Sequence, residues 1–149
     1  MDRLRRFLRL PNSDRWLLVK VTCLLGATRV ALKLLPFQTV YRYMNRSGQP
    51  VRSSNQRSMP DAVRISGAVN KAGRYFLGED SCFPQALVGE MLLKRSGFPA
   101  TLRIGVVKDE DGSLHAHAWV ERDGKVVIGG PIHRVEKYTP LPDLDNLNR

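Results

Sequence analysis

Residues 114–130 have the sequence LHAHAWVERDGKVVIGG, which carries the clearest structural pattern in the chain. Side chains from Leu114 to Arg122 alternate between two faces, and this period of two predicts a β-strand. Asp123-Gly124 is a strong signal for a two-residue turn, and Lys125–Gly130 supplies the returning strand. The stretch therefore predicts an antiparallel hairpin whose register follows from the turn, with residue 122 opposite residue 125.

Two further elements precede this hairpin. Leu102, Ile104 and Val106 alternate along another predicted strand. Before it, residues 77–80 are predicted to form a loop, after which Ser81-Cys82-Phe83-Pro84 begins a helix that runs to about Ser96, where Gly97 and Pro99 prevent its continuation. Apolar side chains cover most of this helix, so we expect it to be buried nearly all round. The fold class predicted is α+β, with a buried helix packed on an antiparallel sheet.

The first part of the chain is predicted to be helical and basic. Asn12 or Ser13 can cap a helix that runs to about Leu35, and a shorter helix follows from Thr39 to Asn45. Residues 46–59 are polar and linker-like, and Pro60 opens a helix with one apolar face. We therefore expect an N-terminal basic helical region at 1–45, a linker at 46–59 and a core domain at 60–149.

The apolar stretch from Trp16 to Leu35 is not predicted to cross a membrane. Lys20, Arg29 and Lys33 interrupt it, and three charges in about 20 residues make a poor transmembrane helix and a poor secretory signal. The stretch fits a helix that packs against its neighbours or docks a partner, and membrane-surface contact stays open because several arginines precede it. A cytoplasmic protein with reduced thiols is the default expectation.

Charge is distributed unevenly in these 149 residues. Residues 1–75 contain 15 Lys/Arg and 3 Asp/Glu, whereas residues 76–149 contain 9 and 11. Such a basic half suggests an acidic partner or a solvated basic face. A non-catalytic binding module for nucleic acid or acidic protein is therefore one hypothesis, although no nucleic-acid motif is present and no nucleic acid is expected. Dinucleotide- and phosphate-binding glycine motifs are also absent from the sequence, and no cofactor is expected.

The side chains that suggest chemistry are Cys82, His115 and His117. Cys82 falls in the first helical turn, where free amides and the helix dipole favour a thiolate. The two histidines share one strand face, about 7 Å apart. A cysteine with a histidine distant in sequence is typical of thiol proteases. A zinc site formed by these three residues and His133 is an alternative, as is a simple structural role for each of them.

Several segments together resemble one known family. They are CFPQAL at 82–87, LLKRSG at 92–97, LRIGV at 102–106, AHAWVE at 116–121 and GKVVIGG at 124–130. In combination they resemble the transglutaminase-like leader peptidases of lasso-peptide biosynthesis, over roughly residues 60–140. The resemblance implies a papain-like cysteine protease fold, in which a helix carrying the nucleophile packs on a sheet carrying histidine and aspartate.

The resemblance also implies a function, partners and site residues. A leader peptidase of this family removes the leader from a ribosomally made lasso precursor, a leader-recognition protein presents the substrate, and an ATP-using cyclase then closes the macrolactam. This chain resembles the stand-alone peptidase of a split system. Cys82 matches the nucleophile and His117 the base, whereas His115 matches no catalytic position. Acyl transfer to an amine is the alternative activity, since it needs the same nucleophile and base.

The third catalytic residue is the point at which the sequence departs from the family. The family usually carries an aspartate in the strand after the hairpin, and a uniform register places residue 130 opposite residue 117. Gly129 and Gly130 occupy this region. Three alternatives stay open: a carboxylate from residues 131–145, with Glu136 as the candidate, a catalytic dyad, or a backbone carbonyl that fixes the histidine tautomer.

Overall fold

Four helices and four strands form the described part of the chain. A computed structural model describes residue 5 and residues 8–49, 59–78, 81–130 and 135–142. The elements in chain order are helices α1 (Asn12–Leu34), α2 (Phe37–Ser47), α3 (Met59–Ala72) and α4 (Cys82–Arg95), followed by strands β1 (Thr101–Lys108), β2 (Leu114–Arg122), β3 (Lys125–Ile128) and β4 (Thr139–Pro140).

The strands form one antiparallel sheet in the order β3-β2-β1-β4. Helix α4 packs against β2, and Ala86, Leu87 and Leu93 on the helix join Ala118 and Val120 on the strand in one core. This arrangement confirms the predicted α+β class and is compatible with a papain-like core. Strand β2 has the predicted bounds, while β3 ends two residues earlier than predicted.

Helix α4 is buried along most of its length, as predicted. Every residue from Ala86 to Leu93 is buried. The helix ends in a Schellman motif, because Phe98 N–H donates to the Leu93 carbonyl at 2.9 Å and Gly97 adopts a φ of +81°. The carboxylate of Glu90 is buried with the helix, accepting a hydrogen bond from Leu102 N–H at 3.1 Å and pairing with Lys94 at 2.9 Å.

Helices α1 and α2 contribute to the same hydrophobic core as α4. Val21, Leu25 and Tyr41 are buried among core residues from α3 and α4. The outer side of α1 remains exposed, so this helix is only partly buried. The predicted linker at 46–59 overlaps the end of α2, and its residues 50–58 lie outside the described residues. The proposed domain division therefore stays a prediction.

Two local predictions for the helices were wrong. Pro11, rather than Asn12 or Ser13, precedes the first residue of α1, and no side chain caps the helix. The two polar side chains have other partners: Asn12 accepts a hydrogen bond from Arg15, and Ser13 accepts one from Arg64 at 3.1 Å. Leu77, predicted to lie in a loop, ends a π-helical turn (Gly73–Leu77) that continues α3.

The predicted register between β2 and β3 was also wrong beyond the hairpin turn. Arg122 pairs with Lys125 as predicted, and Glu121 pairs with Val126, but Val120 pairs with Ile128. Val127 is therefore the extra residue of a β-bulge, which shifts the rest of the pairing by one position. Counting residue pairs outward from the turn therefore does not give the residue that lies opposite His117, and the predicted pairing of residue 117 with residue 130 fails for this reason.

The membrane prediction concerns α1, the longest described helix. In the part of the chain that the structure describes, no helix has both the length and the apolar character needed to cross a membrane.

Candidate active site

Cys82 is the first residue of α4 and is half-buried. Ser81 precedes it but does not cap the helix with its side chain. Instead the fully buried Ser81 hydroxyl donates to the Gly78 carbonyl at 2.6 Å and accepts from Gln85 Nε2 at 2.6 Å. These bonds tie the segment before the cysteine to the first turn of the helix, and so support the backbone on both sides of Cys82.

The Cys82 thiol meets β2 at His117 and Ala118. Burial by itself raises the pKa of this thiol, but its hydrogen bond and electrostatic interaction with His117, together with hydrogen bonds from the amides of Ala118 and Phe83, outweigh burial and lower the pKa below its ordinary value. The β2–β3 pairing ends at Val120, so the Ala118 amide that donates to the sulfur lies beyond the end of that ladder. The structure thus brings the two residues predicted as nucleophile and base into contact.

The orientation of His117 is set by a backbone carbonyl. Its Nε2 lies 2.7 Å from the carbonyl oxygen of Gly129. A carbonyl oxygen only accepts hydrogen bonds, so Nε2 carries the proton and Nδ1 is the basic nitrogen of the neutral ring. A backbone carbonyl, one of the three alternatives that the sequence left open, therefore contacts the histidine.

Two aromatic rings also hold the imidazole of His117. Tyr138 stacks on it with ring centroids 5.2 Å apart, and Trp119 lies 6.3 Å away. The indole N–H of Trp119 donates to Glu121 at 2.8 Å. Tyr138 reaches the site because Gly105 of β1 leaves space: a Cβ there would lie 2.8 Å from atoms of both Tyr138 and Trp119. The ring is therefore fixed by stacking as well as by its hydrogen bond.

Glu136 is exposed and lies in the turn between Val135, which is buried, and Tyr138, which is half-buried. His117 contacts the Cys82 thiol, the Gly129 carbonyl and the rings of Tyr138 and Trp119. A catalytic role for Glu136 stays a prediction.

His115 lies away from the thiol, at the exposed end of β2. It pairs with Asp109 at 3.0 Å and contacts Ser113 at 3.1 Å, both from the β1–β2 connection. His133, the fourth residue of the zinc alternative, lies outside the described residues. Within residues 8–49, 59–78, 81–130 and 135–142, no group of three or more His, Cys, Asp or Glu side chains is arranged to hold a metal ion.

Sequence reasoning missed Tyr138 and the specific carbonyl of Gly129. The Gly129-Gly130 pair carried a usable signal, because glycines at a strand end often mark a close approach of backbone to a side chain. Gly105 lies in the middle of a predicted strand, where a glycine also indicates that another group approaches the backbone closely. In the structure, the side chains of Tyr138 and Trp119 occupy that space. Tyr138 itself is part of no pattern that identifies it.

Comparison with known proteins places this fold and site in a family. A family model described as the transglutaminase-like superfamily matches residues 17–143. The chain therefore belongs to the transglutaminase-like superfamily, which includes cysteine peptidases and acyltransferases. The match begins within α1, so it includes most of the region before the predicted core. Searches of curated proteins and of solved structures gave no match.

The lowered thiol pKa predicts how Cys82 reacts with iodoacetamide as pH changes. Because the thiolate is the reacting form, alkylation of Cys82 should persist to lower pH than alkylation of an ordinary thiol, whose pKa is about 8.5. The measurement follows the pH midpoint of alkylation in a Cys23→Ser variant, with the same chain in denaturant as the control. A folded-state midpoint equal to or above the denatured one would contradict this account of the site.

Proposed function

We propose that this chain is a cysteine peptidase that removes the leader peptide from a ribosomally made lasso precursor. The observation that carries the proposal is the contact of the Cys82 thiol with His117 at the start of a buried helix, together with the lowered thiol pKa. Membership of the transglutaminase-like superfamily supports cysteine-based acyl chemistry. The motifs shared with lasso leader peptidases support this particular substrate.

The proposed reaction begins with transfer of the thiol proton to Nδ1 of His117. The thiolate attacks the carbonyl carbon of the scissile amide, and the amides in the first turn of α4 stabilise the oxyanion. His117 then gives its proton to the amide nitrogen, the C–N bond breaks, and the core peptide leaves with a new N-terminus. A water molecule, deprotonated by His117, hydrolyses the thioester that links the leader to Cys82. Acyl transfer would differ only in this last acceptor.

A leader-recognition protein is the proposed partner, and the exposed side of α1 is its proposed docking face. This face is formed by Trp16, Val19, Val30 and Leu34, with Trp16 75% and Leu34 76% exposed. Lys20 and Lys33 are exposed beside it, so the face is complementary to an acidic surface with apolar side chains. The docking face ends close to the candidate active site. Phe37, three residues after Leu34, contacts Phe83, the residue that follows Cys82, with ring centroids 5.0 Å apart.

In this arrangement the partner binds the leader and brings the cleavage site to Cys82. A leader held by a docked partner meets the thiol at an effective concentration of order mM, well above that of free precursor in dilute solution. The isolated chain is therefore expected to be a poor peptidase. The ATP-using cyclase acts afterwards on the released core peptide.

We expect the partner to raise the initial rate of precursor cleavage in a way that depends on the α1 face. Replacing Trp16 and Leu34 with serine should reduce this stimulation about 10-fold, because aromatic and large apolar anchors dominate interfaces. Cleavage without the partner should not change. Added salt should also weaken the stimulation, since exposed charges are screened. The measurement is the cleavage rate, by mass spectrometry, as partner concentration is increased at low and at high salt.

The matched control is the double variant Val63→Ser and Leu114→Ser, which removes two apolar side chains that are each 69% exposed on other elements. It should retain full stimulation. A cleavage rate that does not respond to partner concentration would mean that this chain recognises its substrate alone. Equal losses in the two double variants would exclude α1 as the docking face. Transfer of the leader to an added amine, with no hydrolysis, would favour the acyltransferase alternative.

A further inference from the structure

The β-bulge in β3 lies next to the candidate site and has a side-chain partner. Val127 is the residue without a place in the β2–β3 pairing. Its carbonyl oxygen accepts a hydrogen bond from Asn70 Nδ2 at 3.1 Å, across the contact between α3 and β3. A bulge interrupts the ladder and leaves backbone groups in need of other partners. Asn70 supplies such a partner.

The residue after the bulge is fixed by α4. The Ile128 side chain is fully buried against Gly89 in the middle of this helix. A Cβ at residue 89 would lie 2.1 Å from Ile128 Cδ1, so only glycine leaves room for this contact. Asn70 and Gly89, one from each neighbouring helix, thus contact two successive residues of β3 that immediately precede residue 129.

Gly129 then adopts a backbone conformation that suits glycine. Its φ is +108°, and a Cβ at this position would lie 2.6 Å from Trp119 Cβ. The close approach to β2 places the Gly129 carbonyl 2.7 Å from His117 Nε2. The bulge shifts this segment by one residue relative to a uniform ladder, so the bulge decides which carbonyl reaches the imidazole.

We propose that Asn70 is a positioning residue for His117: by binding the Val127 carbonyl it holds the bulge that brings the Gly129 carbonyl to Nε2. Only the expected effect of Asn70 on turnover rests on the proposed function. In this chain a backbone carbonyl, held by an asparagine from a neighbouring helix, performs the orienting task that a carboxylate performs in a catalytic triad. Loss of the Asn70 amide should therefore affect the imidazole and, through it, the Cys82 thiol.

The test replaces Asn70 with aspartate, which has the same shape but lacks the N–H donor. With precursor and partner, kcat should fall about 10- to 100-fold because the base is misplaced, while KM should change by less than about 2-fold. The pH midpoint of Cys82 alkylation should also move up toward that of the denatured chain, a shift that a loss of stability alone does not produce in molecules that remain folded.

The matched control is Asn45→Asp. Asn45 is also a half-buried helical asparagine in a hydrogen bond, accepting from Lys94 Nζ at 3.4 Å. Lys94 lies 12 residues along α4 from Cys82, or about 18 Å. The control should leave kcat and the alkylation midpoint unchanged. If Asn70→Asp behaves like Asn45→Asp in both measurements, Asn70 has only a structural role and the proposal is overturned.

Two further measurements keep the proposal decidable. If the wild-type chain does not cleave the precursor, the proposed function fails, and the alkylation midpoints still decide the role of Asn70.

If Asn70→Asp does not fold, Asn70→Ala is measured in the same way, and nitrogen NMR is applied to the wild-type chain. The proposal requires His117 protonated at Nε2 and slowly exchanging Nδ2 protons on Asn70. A neutral ring protonated at Nδ1, or rapidly exchanging Asn70 protons, would overturn it.

Discussion

Replacing Cys82 with alanine is expected to abolish leader cleavage while the chain stays folded. Loss of the nucleophile removes the covalent route entirely, so the rate should fall about 10⁴-fold or more. The change is small in volume and the thiol is only half-buried, so the core formed by α4 and the sheet should persist. The measurement is the initial rate on full-length precursor with the leader-recognition partner present, alongside thermal unfolding of both chains.

Cys23→Ala is the matched control for this variant. Cys23 is the other cysteine of the chain and lies exposed on α1. Its loss should leave the cleavage rate near that of the wild type. Cleavage retained by a pure preparation of Cys82→Ala would rule out a cysteine peptidase with this nucleophile.

Replacing His117 with alanine is expected to have nearly as large an effect. This side chain contacts the thiol, and its Nδ1 is the nitrogen that can take the thiol proton. Without it the thiolate is not stabilised and the leaving amine receives no proton, so turnover should approach that of Cys82→Ala. The measurement is kcat with the same precursor and partner.

His115→Ala is the control on the same strand and the same face. His115 is exposed and bonded to Asp109 and Ser113 instead of the thiol. We expect the variant to lose less than about 10²-fold in kcat. The opposite order, with His115→Ala the more damaging variant, would mean that the assignment of the base is incorrect.

The elements that carry the site could be predicted from the sequence because their signals are local. The helix that starts at Cys82 is marked by its apolar side chains and by Gly97, and β2 by alternation up to the Asp123-Gly124 turn. The helix carries Cys82 and the strand carries His115 and His117, and a cysteine with a histidine distant in sequence is typical of thiol proteases, so the pairing of the cysteine with a histidine could be predicted as well. The resemblance to leader peptidases distinguished His117 from His115, which strand geometry alone did not.

The orientation of His117 could not be predicted, because it depends on contacts between segments distant in sequence. The bulge at Val127 is stabilised by Asn70, which lies 57 positions earlier. A uniform ladder from the turn therefore gave the wrong register. Tyr138 reaches His117 only because β4 pairs with β1 and Gly105 leaves space. The start of α1 was misjudged for a similar reason, since Ser13 binds Arg64 of α3 instead of capping its own helix.

The central claim, that Cys82 attacks the leader at its C-terminal end, is tested most directly with a synthetic leader peptide that ends in a vinyl sulfone. The thiolate adds to this electrophile irreversibly, and the adduct is located by mass spectrometry of the digested chain. With the leader-recognition partner present, the account predicts one adduct per chain, on Cys82, with loss of precursor cleavage in proportion to labelling. An adduct on Cys23, or full cleavage activity in a chain whose Cys82 is completely labelled, would contradict it.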